Sequence, residues 1–181
     1  MTDRAVLLSI KPKYCELIAS GKKTVEVRKT RPKIPTPFKC YIYCTKPKMI
    51  TKYVFKPEDY PEYMRPEKTI FCKAPDASSP FCSPVNGNSK VIGEFVCDEI
   101  ISFGFTQYNH GEYMVSFDVN NERDILKESC LSFSEMYEYI GENVGYGYHI
   151  SKLVIYDKPK ELNEFGLKRP PQSWCYVEDK Q

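Results

Sequence analysis

The chain has 181 residues, of which 41% are hydrophobic and 28% are charged, and its formal net charge is +2. This length and composition predict one globular domain spanning 1–181 and exclude an intrinsically disordered chain. The charge is too small for a protein that coats DNA, so a nucleic-acid site must come from local clusters of Lys and Arg.

The beginning of the chain lacks the apolar run of a signal peptide, and no stretch approaches the length of a membrane span. We therefore expect a cytoplasmic protein with no membrane partner. In that compartment the eight cysteines are expected as free thiols. No Cys-x-x-Cys pair is present, so neither a metal nor a cofactor is predicted. The pool that a metal site could draw on is Cys40, Cys44, Cys72, Cys82 and His110. Nothing in the sequence sets the oligomeric state.

The first predicted elements are a strand and a short helix. Ala5–Ile10 is apolar and reads as a strand, and Pro12 is suited to the first turn of a helix. The helix has an apolar stripe at Tyr14, Leu17 and Ile18. Gly21 follows where a left-handed helix cap is expected.

The next segment, Thr24–Arg28, alternates polar and apolar residues and is predicted as a strand. Val25 and Val27 would then face inward, with Thr24, Glu26 and Arg28 together on the other face. A β-rich run at 38–45 follows. Residues 46–89 hold seven prolines and predict a long irregular insertion, with a short strand at 69–73.

The second half predicts strands with a capped helix between them. Lys90–Ile101 is the clearest strand, and Gly93 within it indicates a bulge or a close backbone approach. Further elements are expected as a strand at 113–119, a helical turn at 122–128, a helix opened by the capping box Ser132–Glu135, and a strand at 148–157. Residues 159–181 are predicted as a C-terminal extension. Strands dominate without a repeated βαβ pattern, which predicts an α+β fold built on a mixed β-barrel with two or three short helices.

Two parts of this pattern resemble the ASCH domain, a relative of the PUA fold. The family pattern Gly-x-Lys-x-x-Glu-x-Arg is met by Gly21, Lys23, Glu26 and Arg28. The resemblance is specific over 5–29 and looser over 90–158, and it does not cover 46–89 or the last two dozen residues. Its details are similar to the small ASCH proteins of phages and prophages.

The resemblance implies a PUA-like barrel and a protein that binds RNA or a nucleotide, or that acts on RNA or a modified nucleoside. One branch, the N4-acetylcytidine amidohydrolases, uses the lysine at Lys23, a threonine and a distant glutamate. Glu26 stands where that branch has its threonine, and Thr24 lies two residues away on the same predicted face. Glu94 and Glu135 are the candidates for the distant glutamate.

Three functions follow as hypotheses. In the first, the protein binds RNA or a nucleotide at a basic and acidic cluster at the barrel mouth. The nucleic-acid-binding residues would be Lys11, Lys22, Lys23, Arg28 and Trp174. In the second, Lys23, Glu26 and Thr24 are catalytic and hydrolyse a modified nucleoside or RNA. In the third, the insertion contacts a protein partner through aromatic residues, namely Phe55, Tyr60, Tyr63 and Phe71. Alternatively, Glu26 forms an ion pair with Arg28 or Lys23 that only holds the barrel mouth in place and takes no part in binding or catalysis.

Overall fold

The structure, a computed structural model, describes residues 4–46, 89–107, 113–117 and 124–179. Its strands are β1 (Arg4–Ile10), β2 (Val25–Arg28), β3 (Phe38–Cys44), β4 (Lys90–Gln107), β5 (Tyr113–Phe117), β6 (Gly145–Lys160) and β7 (Trp174–Glu178). The helices are α1 (Pro12–Ala19), α2 (Ile125–Ser129) and α3 (Phe133–Ile140), with a 3-10 turn at Leu162–Phe165.

Six strands form one mixed sheet in the order β2-β6-β4-β3-β1-β7, and β5 pairs with β4 beside this path. Strands β1 and β3 run parallel, and the other pairs are antiparallel. The predicted α+β class is confirmed. Within the described strands, however, the backbone ladder does not close into a barrel, since β2 and β7 are its two ends.

Side chains bring these two ends together. Arg28 on β2 donates to the carbonyl of Ser9 on β1 and to the carbonyl of Ser173, which directly precedes β7. Because β2 and β7 lie at opposite ends of the strand order, the sheet must curve strongly for one side chain to reach both. The result is barrel-like curvature with a seam joined by side chains.

Three apolar cores explain why the strands are almost continuously hydrophobic. Alternate residues of β1 enter different cores: Val6, Leu8 and Ile10 pack under α1, whereas Ala5 and Leu7 pack under the C-terminal segment around Phe165. A third core lies between the β2–β6 edge and helices α2 and α3. Both faces of the central strands are therefore covered.

The local signals in the sequence match the structure well. Gly21 has φ +71° just after α1, and Ser132 and Glu135 form the predicted capping box of α3. A Cβ on Gly93 would collide with the carbonyl oxygen of Val154, which confirms the close backbone approach. The segment predicted as an extension contributes β7 to the sheet. The strand predicted at 69–73 lies outside the described residues, and none of the described helices is long and apolar enough to span a membrane.

Candidate functional site

The cap of α1 positions Lys23. After the helix ends, the backbone N–H groups of Lys22 and Lys23 both donate to the carbonyl of Leu17, at 2.9 and 3.0 Å. The left-handed Gly21 makes this tight turn possible because glycine adopts positive φ without strain. The chain then enters β2 directly, which places Lys23, Glu26 and Arg28 within one short stretch at the curved edge of the sheet.

These three side chains form a buried charge cluster. Glu26 accepts from Arg28 through Oε1 at 2.9 Å and from Lys23 through Oε2 at 3.3 Å. Lys23, Glu26 and Arg28 are only 2%, 6% and 5% exposed. The alternation in the sequence placed Glu26 and Arg28 on one face, and the structure shows that this face is covered rather than solvated.

The Lys23 ammonium is held by three different elements. Besides Glu26 on β2, it donates to the carbonyl of Ser129 at the end of α2, at 2.7 Å. It also lies 5.2 Å from the centre of the Tyr14 ring on α1, a cation–π distance. Carbonyls at the end of a helix lack partners within the helix and favour a cation. The Lys23 side chain is therefore held in place by contacts with the protein, and its ammonium group is hardly exposed to solvent.

The Arg28 guanidinium ties the cluster to the seam of the sheet. Nη2 donates to the carbonyl of Ser9 at 2.9 Å, and Nη1 donates to the carbonyl of Ser173 at 3.2 Å. Its Nε is buried and has no hydrogen-bond partner. A buried N–H without a partner costs free energy, so it marks either strain or a place where a ligand atom completes the site.

Two tyrosines that the sequence did not single out as site residues border the charge cluster. Tyr14 on α1 is half-buried, and Tyr139 on α3 is 38% exposed. Burial raises the pKa of Tyr139, and the nearby Arg28 opposes this rise. Burial also raises the pKa of Tyr14, while the positive charge of Lys13 lowers it and the negative charge of Glu26 raises it. A helical stripe cannot tell a core tyrosine from one that borders a site, so spacing alone did not reveal them.

The predicted site residues divide into those that meet and those that do not. Lys23, Glu26 and Arg28 converge. The Thr24 backbone pairs with Glu128 and Ile150, and no described contact joins its side chain to Lys23. Lys11 and Lys22 are exposed at the two ends of α1, and the indole Nε1 of Trp174 donates to Thr30 Oγ1 at 2.9 Å, two residues beyond Arg28.

The two candidates for a distant glutamate have other partners. Glu94 accepts from the hydroxyl of Tyr156 and lies 3.7 Å from Lys39. Glu135 caps α3 and pairs with Lys13 at 3.1 Å. Neither makes a contact with Lys23 in the part of the chain that the structure describes, so neither of these two glutamates lies where the amidohydrolase branch would need it.

The described residues contain no group of three or more His, Cys, Asp and Glu side chains that could hold a metal ion. Cys40 and Cys44 are buried in the core under α1. The other members of the pool, Cys72, Cys82 and His110, lie outside the described residues, as do the insertion aromatics Phe55, Tyr60, Tyr63 and Phe71.

Comparison with known proteins points to one family. The family model for the ASCH domain matches residues 8–163. Among solved structures, ASCH from Zymomonas mobilis is similar with a TM-score of 0.52 and 18% identity, covering 97% of this chain and 89% of that chain. A Tyr-to-Phe variant of the Zymomonas protein gives a TM-score of 0.54 at 19% identity, covering 96% and 90%. No curated protein is significantly similar in sequence. The likeness to phage-encoded members stays a prediction.

Proposed function

The chain belongs to the ASCH domain family, and on that premise we propose that it binds RNA or a nucleotide at the charge cluster of Lys23, Glu26 and Arg28. The phosphate would be the group that the cluster attracts, and a base would lie against the neighbouring tyrosines.

The observation that carries this proposal is an excess of buried positive charge. Lys23 and Arg28 contribute two formal positive charges and Glu26 one negative charge, which leaves a net +1 among three side chains that are each at most 6% exposed. Charges interact strongly where water is excluded, so an anion next to this site would be attracted with little screening. The partnerless Nε of Arg28 is a donor suited to a phosphate oxygen.

The ligand would approach from the side of Tyr14 and Tyr139. These are two aromatic neighbours of the cluster, and Tyr139 keeps 38% of its surface exposed. Single-stranded RNA and nucleotides are commonly held by stacking of bases on aromatic rings beside a cationic group. A phosphate at Arg28 with a base on Tyr139 would use both features at once.

A purely structural cluster is the competing explanation, because Arg28 also joins the two ends of the sheet. Stability alone is a weak reason for such a cluster. Replacing a buried ion pair by well-packed apolar residues is often neutral or stabilising by about 1–4 kcal/mol. The two explanations differ in what they predict for an added anion.

The test is binding of RNA and nucleotides by the full chain and by Lys23→Met, which keeps the length of the side chain and removes the charge. We expect salt-sensitive binding in the wild type and at least a tenfold loss in Lys23→Met. The matched control is Lys158→Met, an exposed lysine ten residues beyond Tyr148 on β6, on the order of 30 Å along the strand. Circular dichroism and thermal melting would verify that both variants fold.

Equal binding by the wild type and the folded Lys23→Met variant would refute a role of the cluster in binding. Equal loss in both lysine variants would indicate a general charge effect and would also count against it.

Hydrolysis of RNA or of a modified nucleoside is the second candidate. It is favoured by the contact of 3.3 Å between the Lys23 ammonium and the Glu26 carboxylate in a nearly dry site, since an amine and a carboxylate at this distance could exchange a proton. Release of acetate from N4-acetylcytidine, or cleavage of RNA, would be lost in Lys23→Met and in Glu26→Gln. Wild-type protein that binds without turnover would leave binding as the function.

A further inference from the structure

The chain that leaves the charge cluster carries three exposed basic residues, and each contacts a tyrosine from a different element, two through the cationic group and Lys33 through its backbone. The Lys29 ammonium lies 5.2 Å from the ring centre of Tyr139 on α3, and the Arg31 guanidinium lies 5.7 Å from the ring centre of Tyr146 on β6. The backbone N–H of Lys33 donates to the hydroxyl of Tyr176 on β7 at 2.7 Å. We refer to these six residues as the basic track.

The residues between the cations fasten the track to the domain. Thr30 accepts from Trp174 Nε1 through its hydroxyl and from the Tyr148 hydroxyl through its carbonyl, both at 2.9 Å. Pro32 is buried. The backbone of this segment is therefore held on both sides of Arg31, so the cations are presented without the entropy cost of ordering a free loop.

The cations of the track are available to a ligand. Lys29, Arg31 and Lys33 are exposed, and no carboxylate of the described residues forms an ion pair with them. Tyr139 and Tyr176 are exposed by 38% and 36%. Glu178 lies two residues beyond Tyr176 on β7, where successive even positions share a face, so its carboxylate would repel a phosphate and limit the track at that end.

From this arrangement we propose that the basic track binds the single-stranded RNA that continues from the nucleotide held at the charge cluster. The inference rests on the proposed function and extends it from one nucleotide to a short single strand. Four peptide units from Lys29 to Lys33 reach at most about 14 Å, which suits a few nucleotides of an extended strand.

The chemistry favours a single strand over a duplex. Alternating cations and aromatic rings hold phosphates and unpaired bases together, because every base has a face that can stack. In a duplex those faces are covered by neighbouring base pairs. The planar guanidinium of Arg31 and the exposed part of Tyr176 are the stacking surfaces that the track adds to Tyr139.

The test compares ligands of increasing length on the full chain: uridine 5′-monophosphate, then the dinucleotide, tetranucleotide and hexanucleotide of uridine. We expect affinity to rise by about fivefold or more for each stacked base until the track is full. Arg31→Gln should remove part of this gain, leave binding of the mononucleotide within about twofold, and reduce the salt slope of hexanucleotide binding by about 0.7. Lys29→Gln should also remove part of the gain, but it will change mononucleotide binding as well, because Lys29 lies on the ring of Tyr139. Lys158→Gln serves as the control for loss of an exposed lysine.

The outcomes separate the two proposals. If neither the mononucleotide nor the oligonucleotides bind, both proposals fail. If the mononucleotide binds but added length gives no gain, or the gain survives both track variants, the track is refuted and the proposed function stands. If oligonucleotide binding survives Lys23→Met but falls in the track variants, the track stands and the role of the cluster fails. A short RNA duplex that binds as tightly as the hexanucleotide, with the same loss in the track variants, would overturn the assignment to single strands.

Discussion

Changing Glu26 to Gln removes the one negative charge that separates two buried cations. The carboxylate accepts from Arg28 at 2.9 Å and from Lys23 at 3.3 Å, and the side chain is nearly inaccessible to water. An amide of the same shape can accept from only one of these partners and turns N–H donors toward the other. Removing one partner of a buried ion pair typically costs about 3–5 kcal/mol. For a domain of this size that corresponds to a fall in melting temperature of roughly 6–20 °C.

The assay is urea unfolding of the wild type and Glu26→Gln, followed by circular dichroism, in chloride and in phosphate at equal ionic strength. If an anion can lie beside the cluster, phosphate compensates part of the missing charge, so the loss of stability should be smaller in phosphate. Glu138→Gln is the matched control, because this exposed carboxylate on α3 should change stability by no more than about 0.5 kcal/mol.

Two results would refute this reasoning. A Glu26→Gln variant within about 1 kcal/mol of the wild type would mean that Glu26 does not hold the two cations together. A large loss of stability that is identical in chloride and in phosphate would still support the buried ion pairs. It would, however, refute an anion-binding site beside the cluster.

Three further changes test other parts of the structure. A backbone hydrogen bond from Ser132, reinforced by Lys13, lowers the pKa of Glu135 from 4.5 to about 2. A lowered pKa means that its cap stabilises the fold above its ordinary pKa and is lost as the pH falls toward about 2. The difference in melting temperature between wild type and Glu135→Gln should therefore shrink over that range, and a constant difference would contradict it. Burial raises the pKa of the Cys15 and Cys40 thiols, and it raises the pKa of Cys97 to about 12. In the native chain, iodoacetamide near pH 8 should therefore alkylate these three thiols more slowly than half-buried Cys130, as measured by peptide mass spectrometry. In urea all four thiols should react at equal rates. Gly93→Ala should destabilise the domain by about 1–3 kcal/mol in urea unfolding, because the added methyl group would collide with the Val154 carbonyl. Gly104→Ala is the control, since a Cβ at Gly104 has open space around it. Equal losses of stability in the two variants would argue against a steric cause.

Local features of the fold could be predicted because local sequence determines them. The stripe and glycine cap of α1, the capping box of α3 and the close approach at Gly93 each depend on residues a few positions apart. The strand β7 was missed, because proline-rich neighbours obscure a short edge strand whose partner, β1, is far away in the sequence.

The candidate site could be predicted only in part. Alternation along 24–28 placed Glu26 and Arg28 on one face, but it could not show whether that face is covered. The covering groups come from distant positions, namely Tyr14, Ser129 and Ser173. For the same reason Tyr139 and Tyr176 of the basic track were not recognised, since their partners on 29–33 lie far away in the sequence.

At the junction between β3 and β4, the two ends of the sheet strands that flank the proline-rich insertion lie side by side. Cys44 and Lys90 are register partners, and the Ser89 N–H donates to the Cys44 carbonyl at 2.7 Å, so the chain leaves and re-enters the sheet at adjoining positions. A tight turn of a few residues could bridge that neck in place of residues 46–88. By loop-closure entropy the shorter connection would favour folding by about 2 kcal/mol. Such a shortened domain would keep the residues of the charge cluster and the basic track, so a partner that binds only the 181-residue chain would be assigned to the insertion.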